Sequence, residues 1–134
     1  MSYGSRVTLD LPFADAVARV REALTDQGFG VLTEIDVTAT IRAKLGKQME
    51  DYIILGACNP PFARQALDID RSIGLLLPCN VVVRAALEGT VVEALDPQVM
   101  VTVTGQAELA PVADEVGRRL AAALAALTRI GVRT

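Results

Sequence analysis

Two short apolar runs joined by a two-residue connection constrain the fold of this chain more than any other feature. The runs are Asn80–Leu87 and Thr90–Leu95, and Glu88-Gly89 lies between them. Such a connection predicts a β-hairpin, because glycine readily adopts the backbone angles of a tight turn. The hairpin favours a mainly antiparallel sheet.

Four further segments are predicted to be extended, and they are Val7–Leu11, Phe29–Ile35, Tyr52–Ala57 and Ile73–Leu77. Val7–Leu11 alternates apolar and polar residues, which is typical of a half-buried strand. Tyr52–Ala57 is continuously apolar and is predicted to be a central strand.

Apolar residues at helical spacing predict helices between the strands and at the end of the sequence. The predicted helices are Phe13–Leu24, Val37–Leu45, Phe62–Asp68, a stretch that begins at Asp96-Pro97, and Gln106–Ile130. Asp36 is expected to cap the second helix, and Pro60-Pro61 to open the third. A hairpin and a long terminal helix together predict an α+β fold with the helices on one face of the sheet. With 134 residues, the chain is expected to form a single domain over residues 1–134.

Composition limits how the core can be built. Hydrophobic residues make up 51% of the chain but aromatic residues only 4%, so the core must consist mainly of aliphatic side chains. The mean hydropathy is +0.38, which is high for a soluble chain of this length. Either the packing is very efficient, or a partner copy covers part of the apolar surface.

Several classes of function are disfavoured by what the sequence lacks. It contains no histidine, which excludes a Ser-His-Asp relay and any His-ligated metal. The net charge of −3 and the absence of a basic stripe disfavour nucleic-acid binding. Because no apolar stretch is long enough for a bilayer and no signal peptide is visible, we expect a cytoplasmic protein without membrane contact. Cytoplasmic thiols are normally reduced, so a structural disulfide is not expected.

The two cysteines, Cys58 and Cys79, are the best candidates for chemistry. Each is followed by an asparagine, Asn59 or Asn80, and each lies beside proline where an apolar run ends. Each is therefore expected to hold a thiol and an amide at a defined bend of the backbone. The site hypothesis requires that these two bends converge in the fold and frame one cavity.

Cys58 precedes a helix that begins with proline, and free amides at a helix N-terminus stabilise a nearby anion. This position predicts a lowered thiol pKa and makes Cys58 the candidate catalytic nucleophile. The alternative is that each cysteine is a small, buried hydrophobic residue. As a pair, Cys58 and Cys79 could cycle between dithiol and disulfide or bind a soft metal such as Cu(I).

The polar neighbours of the cysteines have two interpretations. Asn59 and Asn80 either cap a turn or a helix, or line a small polar pocket. Arg64 and Arg84 either supply positive charge to such a pocket, or are solvated or paired with a carboxylate. The predicted ligand site consists of Cys58, Asn59, Cys79, Asn80, Arg64 and Arg84.

The cysteine motifs and their surroundings resemble the family called domain of unknown function 302 (DUF302). The resemblance rests on Ile54–Pro60, Ala63, Ala66-Leu67 and Ile73–Val83, and extends to Ile35–Val37, Lys44–Gly46, Asp96–Met100 and the long helix. It implies a small bacterial protein whose fold is like one repeat of the TATA-binding protein. That fold is a curved antiparallel sheet in the order strand, helix, four strands, helix. The resemblance also implies a dimer, and it carries no reaction.

Three functions remain open from the sequence, and whether the protein is an enzyme is one of the open questions. The first is a non-enzymatic dimer that binds a small ligand or a soft metal at Cys58 and Cys79. The second is a thiol-dependent redox protein or enzyme that acts on a small sulfur or oxidised substrate. The third is an interaction dimer whose apolar face is the seam between the copies. No organic cofactor is predicted.

Overall fold

The computed structural model describes residues 3–131, and side chains as far as residue 128. Residues 1–2 and 132–134, at the two ends of the predicted domain, lie outside the described residues. The strands are β1 (Gly4–Leu9), β2 (Gly30–Asp36), β3 (Tyr52–Cys58), β4 (Cys79–Ala86) and β5 (Gly89–Leu95). The α-helices are α1 (Phe13–Asp26), α2 (Val37–Leu45), α3 (Pro60–Ile69), α4 (Gln98–Thr104) and α5 (Ala110–Gly131). Two short 3₁₀ helices span Arg71–Leu76 and Ala107–Leu109.

The strands form an antiparallel sheet in the order β1-β5-β4-β3-β2. β4 and β5 form the predicted hairpin, in which Ala86 pairs with Gly89. When the short helices α2, α3 and α4 are set aside, the order along the chain is strand, helix, four strands, helix. The predicted α+β fold class is therefore confirmed.

One face of the sheet, here called the inner face, packs against α1 and α5 and forms the core. Its strand residues include Leu9, Leu55, Val81, Val83 and Val92, each at most 1% exposed. Successive side chains of a strand point to opposite faces. The residues that alternate with this set therefore form a second face, here called the outer face.

Local signals explain where the first two helices begin and end. α1 follows Pro12 directly, and Gly28, with a φ of 84°, follows its last turn. The Asp36 side chain accepts a hydrogen bond from the backbone amide of Ala39 at 2.9 Å and so caps α2. Gly46 ends the same helix with a φ of 64°. The predicted cap at Asp36 is confirmed.

The prediction of an extended segment over Ile73–Leu77 is wrong, because most of it lies in the 3₁₀ helix. Asp70 starts this helix, since its side chain accepts a hydrogen bond from the backbone amide of Ser72 at 2.9 Å. Ile73 is 1% exposed whereas Leu75 is 88% exposed. A buried central strand would bury both of these side chains, so this segment is not packed as such a strand.

The predicted helix over Gln106–Ile130 is present but begins a few residues later. Gly105 ends α4 with a φ of 68°, and the 3₁₀ turn precedes the start of α5 at Ala110. Within residues 3–131, no helix combines the length and the apolarity that a membrane crossing requires.

Candidate functional site

Cys58 and Cys79 lie at the same end of the sheet, on neighbouring strands. Cys58 is the last residue of β3 and Cys79 is the first residue of β4. Ala57, the residue before Cys58, is the cross-strand partner of Cys79. Antiparallel pair spacing and strand rise place the two cysteine Cα atoms about 6 Å apart. The fold thus brings the two cysteine bends together, and both thiols are free.

A narrow cavity of about 20 Å³ lies beside these cysteines. Cys58, Cys79 and Asn59 line it together with apolar residues, which are Phe29, Ala57, Phe62, Ala63, Ala66, Leu77, Pro78, Met100, Val112 and Val116. A cavity needs about 10–15 Å³ to hold one water molecule. This cavity therefore has room for about one water molecule or one ion, and its lining contains no acidic or basic side chain.

A Cα separation of about 6 Å would permit a disulfide between the two cysteines, but the register of the strands gives their side chains an unfavourable orientation for one. Cys58 is one position out of register with Cys79, and successive side chains of a strand point to opposite faces. Both residues nevertheless line the cavity, Cys79 from the core and Cys58 from a partly exposed position. A bridging ion separates two sulfurs by more than the 2.05 Å or so of a disulfide. The arrangement therefore suits an ion better than a direct sulfur–sulfur bond.

Burial raises the pKa of both thiols, so the expectation of a lowered pKa at Cys58 is wrong. For Cys58, desolvation by the surrounding protein raises the pKa. For Cys79, desolvation and then repulsion from a charged Cys58 raise the pKa to about 11. Both thiols therefore carry their protons at neutral pH.

The first turn of α3 explains why the helix N-terminus does not favour a thiolate. Its first two residues are Pro60 and Pro61, which have no backbone N–H. The next two amides, of Phe62 and Ala63, donate to the backbone oxygen of Asn59 at 3.1 and 2.9 Å. The amides that would attract an anion are thus either missing or already occupied.

Asn59 connects α3 to the turn after α1. It is 6% exposed, and its Nδ2 donates to the backbone oxygen of Gln27 at 3.3 Å instead of capping the helix. Arg119 of α5 donates to the same oxygen at 3.3 Å, and its guanidinium lies 5.1 Å from the centroid of the Phe62 ring. Nothing local in the sequence marks Gln27, Phe62 or Arg119, since their proximity arises only from folding.

Arg64 and Asn80 do not line the cavity. Arg64 is exposed on α3, and its Nε lies 3.0 Å from a carboxylate oxygen of Asp68, one helical turn away. Asn80 follows Cys79 on β4, so its side chain belongs to the outer face, where it is exposed. It lines a separate groove of about 220 Å³ with Tyr3, Gly4, Tyr52, Val82, Glu93, Ala94 and Leu95.

Arg84 also belongs to the outer face, and it forms the ion pair that was one of its two predicted roles. Its Nε lies 2.9 Å from Glu93, and Arg6 of β1 lies 2.9 Å from the other oxygen of the same carboxylate. Burial alone would raise the pKa of Glu93, but the hydrogen bonds from Arg84 and Arg6 outweigh it and lower the pKa. The carboxylate therefore stays charged and balanced by both arginines.

A cross-strand row on the outer face is apolar at one end and charged at the other. In register across the sheet, it consists of Ile35, Ile54, Val82, Glu93 and Arg6. Ile35 is 49% exposed at the apolar end. Ile54 and Val82 are half-buried, and an apolar row with an exposed end on one face of a sheet is a candidate contact surface.

No group of three His, Cys, Asp or Glu side chains within residues 3–131 is placed to hold a metal ion. A structural zinc ion takes four such ligands, so the described residues of a single chain do not form a zinc site. This argument does not apply to a soft ion that is bound by fewer ligands, all of them sulfur.

The fold and the cavity define a small α+β protein in which two free thiols meet beside an apolar cavity at one end of an antiparallel sheet. The family model described as "Domain of unknown function DUF302" matches residues 5–127. The chain therefore belongs to the DUF302 family, as the resemblance of its cysteine motifs predicted.

A solved structure agrees with this assignment. The crystal structure of an uncharacterized conserved protein DUF302 from Bacillus stearothermophilus is similar, with 28% sequence identity and a TM-score of 0.88. The match covers 95% of this chain and 99% of that chain. Among curated proteins, none matches this chain.

Proposed function

We propose that this single-domain protein binds one soft metal ion, of the Cu(I) class, between Cys58 and Cys79. The observation that carries the proposal is that both cysteines line one apolar cavity of about 20 Å³. Pockets for organic ligands are larger, about 300–1,000 Å³, so the volume favours an ion over the small-molecule alternative. Thiolate ligands select Cu(I) over harder cations.

Binding in this cavity exchanges protons for the metal. Each thiol loses one proton as its sulfur binds, so one Cu(I) enters while two protons leave. Because burial raises the pKa of Cys58 and Cys79, both protons are present at neutral pH and must be displaced. The apparent affinity should therefore rise about tenfold per pH unit for each proton released.

The alternative of a thiol enzyme or redox protein has less support. A nucleophilic cysteine acts as its thiolate, and burial raises the pKa of both thiols. The cavity lining also lacks a carboxylate, an amine or a phenol that would act as a general base. The register between the strands argues against a cycle that forms a disulfide.

Anaerobic titration with Cu(I), in competition with a chromogenic chelator, tests the proposal. We expect the wild-type protein to bind one ion per chain, and to bind it more tightly at pH 7 than at pH 6. We expect Cys58→Ser/Cys79→Ser to lose this binding, because hydroxyl oxygen is a poor ligand for a soft ion. Circular dichroism and urea unfolding establish that the variant is folded. A wild-type affinity no higher than that of the double variant would reject the proposal.

We also propose that the protein is a cytoplasmic homodimer whose seam is the outer face of the sheet. Two observations support this interface: the mean hydropathy of +0.38, and the apolar end of the cross-strand row, where Ile35 is 49% exposed. A two-fold axis places the same patch of both copies in contact. Free thiols are consistent with a reducing compartment.

Replacing Ile35 with lysine should convert the dimer to a monomer, because each copy would then bury a lysine without a partner charge in an apolar seam. The matched control is Leu75→Lys, since Leu75 is 88% exposed on the 3₁₀ helix, away from the sheet. Size-exclusion chromatography with light scattering at micromolar concentration gives the mass of each variant. A monomeric wild-type protein would reject the proposed dimer. A dimeric Ile35→Lys variant would show that the dimer seam is not the outer face around Ile35.

A further inference from the structure

Sulfur-containing side chains are concentrated at the small cavity. The sequence has two cysteines and three methionines, and Cys58, Cys79 and Met100 all line the cavity. Met100 comes from α4, which follows the sheet in the chain, whereas the cysteines belong to β3 and β4. Met100 is 3% exposed, so its thioether is held inside the protein.

The remaining lining gives a metal ion few other side-chain donors. Asn59 supplies the single polar side chain besides the thiols, and its Nδ2 already donates to the backbone oxygen of Gln27. Calcium and magnesium require shells of oxygen ligands, which the lining does not provide. Thiolate and thioether sulfurs are the ligands that suit Cu(I).

We propose that the thioether of Met100 is a third ligand, which completes a three-sulfur site for Cu(I) or a similar soft monovalent ion. This inference rests on the proposed function, because it assumes that Cys58 and Cys79 bind the ion. Once two protons have left, the ion and two thiolates carry a single net negative charge. A neutral thioether adds a donor without adding charge to an apolar cavity, where further charge would be costly.

The competing explanation is that Met100 only fills space, as methionine often does in protein cores. Leucine has nearly the same volume and replaces methionine at small energetic cost. The variant Met100→Leu therefore separates the two roles, because it keeps the packing and removes the sulfur. Met49→Leu is the matched control, since Met49 is not among the residues that line the cavity.

Chelator competition with Cu(I) and X-ray absorption spectroscopy at the copper edge test the proposal. We expect Met100→Leu to bind Cu(I) at least about tenfold more weakly, since changing a residue that only supports a metal ligand already costs about tenfold to a hundredfold in affinity. The number of sulfur neighbours should fall from three in the wild type to two in Met100→Leu. Met49→Leu should match the wild type in both measurements.

Selenomethionine labelling gives a second measurement that does not depend on the folding of Met100→Leu. Bound copper in the labelled wild-type protein should have one selenium neighbour. Copper with sulfur neighbours alone would overturn the proposal, and so would a folded Met100→Leu with wild-type affinity and coordination. A wild-type protein that binds no Cu(I) would instead reject the proposed function, and this inference with it.

Discussion

Replacing Gly56 with alanine should lower the free energy of unfolding by about 3 kcal/mol, the upper part of the range for overpacking a core. A Cβ atom at this position would overlap Oγ1 of Thr33 and lie 2.9 Å from Cγ of Pro78. Thr33 is the cross-strand partner of Gly56 on β2, so the two backbones cannot separate without breaking the ladder. Pro78 is equally constrained, because its side chain is a closed ring. Urea-induced unfolding measures the change.

Two further variants distinguish this close approach from a general intolerance of substitution. Gly74→Ala is the control, because a Cβ atom there would meet nothing within 4 Å, and its effect should stay within about 0.5 kcal/mol. Adding Thr33→Ala to Gly56→Ala should recover part of the lost stability, since it removes one overlap and leaves the contact with Pro78. An unchanged stability of Gly56→Ala would mean that the strands and Pro78 are not packed this closely.

Much of the fold follows from local signals in the sequence. The hairpin depends on Gly89, and the cap of α2 on Asp36, both of which act on their immediate neighbours. Ile73–Leu77 could not be assigned in this way, because a short apolar run is compatible with a strand or with a buried turn. The deciding contact is the hydrogen bond from the Ser72 amide to Asp70, a weak local signal that the apolar run obscured.

The candidate site was only partly predictable from the sequence, because it depends on the pairing of strands. The sequence identifies Cys58 and Cys79 as unusual, but their proximity follows from the register between β3 and β4. The same register and the pleat put Asn80 and Arg84 on the outer face. Met100 reaches the cavity through the packing of α4, which no sequence pattern specifies.

The hypothesis of an activated thiolate at Cys58 fails for a reason that was visible in the sequence. Pro60-Pro61 is a good signal for the start of a helix, but the same residues remove two of the amides that make a helix N-terminus attractive to anions. The two effects of proline therefore oppose each other at this position. The outcome is a protonated pair of thiols, of which Cys79 is buried and Cys58 is partly exposed, and it suits displacement by a metal better than nucleophilic attack.

In the metal-free protein, raising the pH from about 9 to 11 should lower the free energy of unfolding by about 2 kcal/mol through Cys79 alone. Burial, followed by repulsion from Cys58, raises the folded-state pKa of Cys79 from 9.0 to about 11. Below pH 9 the Cys79 thiol is protonated in both the folded and the unfolded chain, and its contribution to stability is fully present. Between the two pKa values only the unfolded chain loses the proton, so stability falls as the pH rises through this window.

The variant Cys79→Ala isolates this contribution from the other groups that titrate at alkaline pH. Alanine leaves a small cavity whose destabilising effect does not depend on pH, whereas the other titratable side chains are shared by both proteins. The free energies of unfolding of the wild type and of Cys79→Ala, measured with urea at several pH values between 8 and 11, should therefore converge as the pH rises. Parallel curves would show that water reaches Cys79 in the folded protein. In that case the metal would not have to displace a tightly held proton, and the pH dependence expected for Cu(I) binding would be correspondingly weaker.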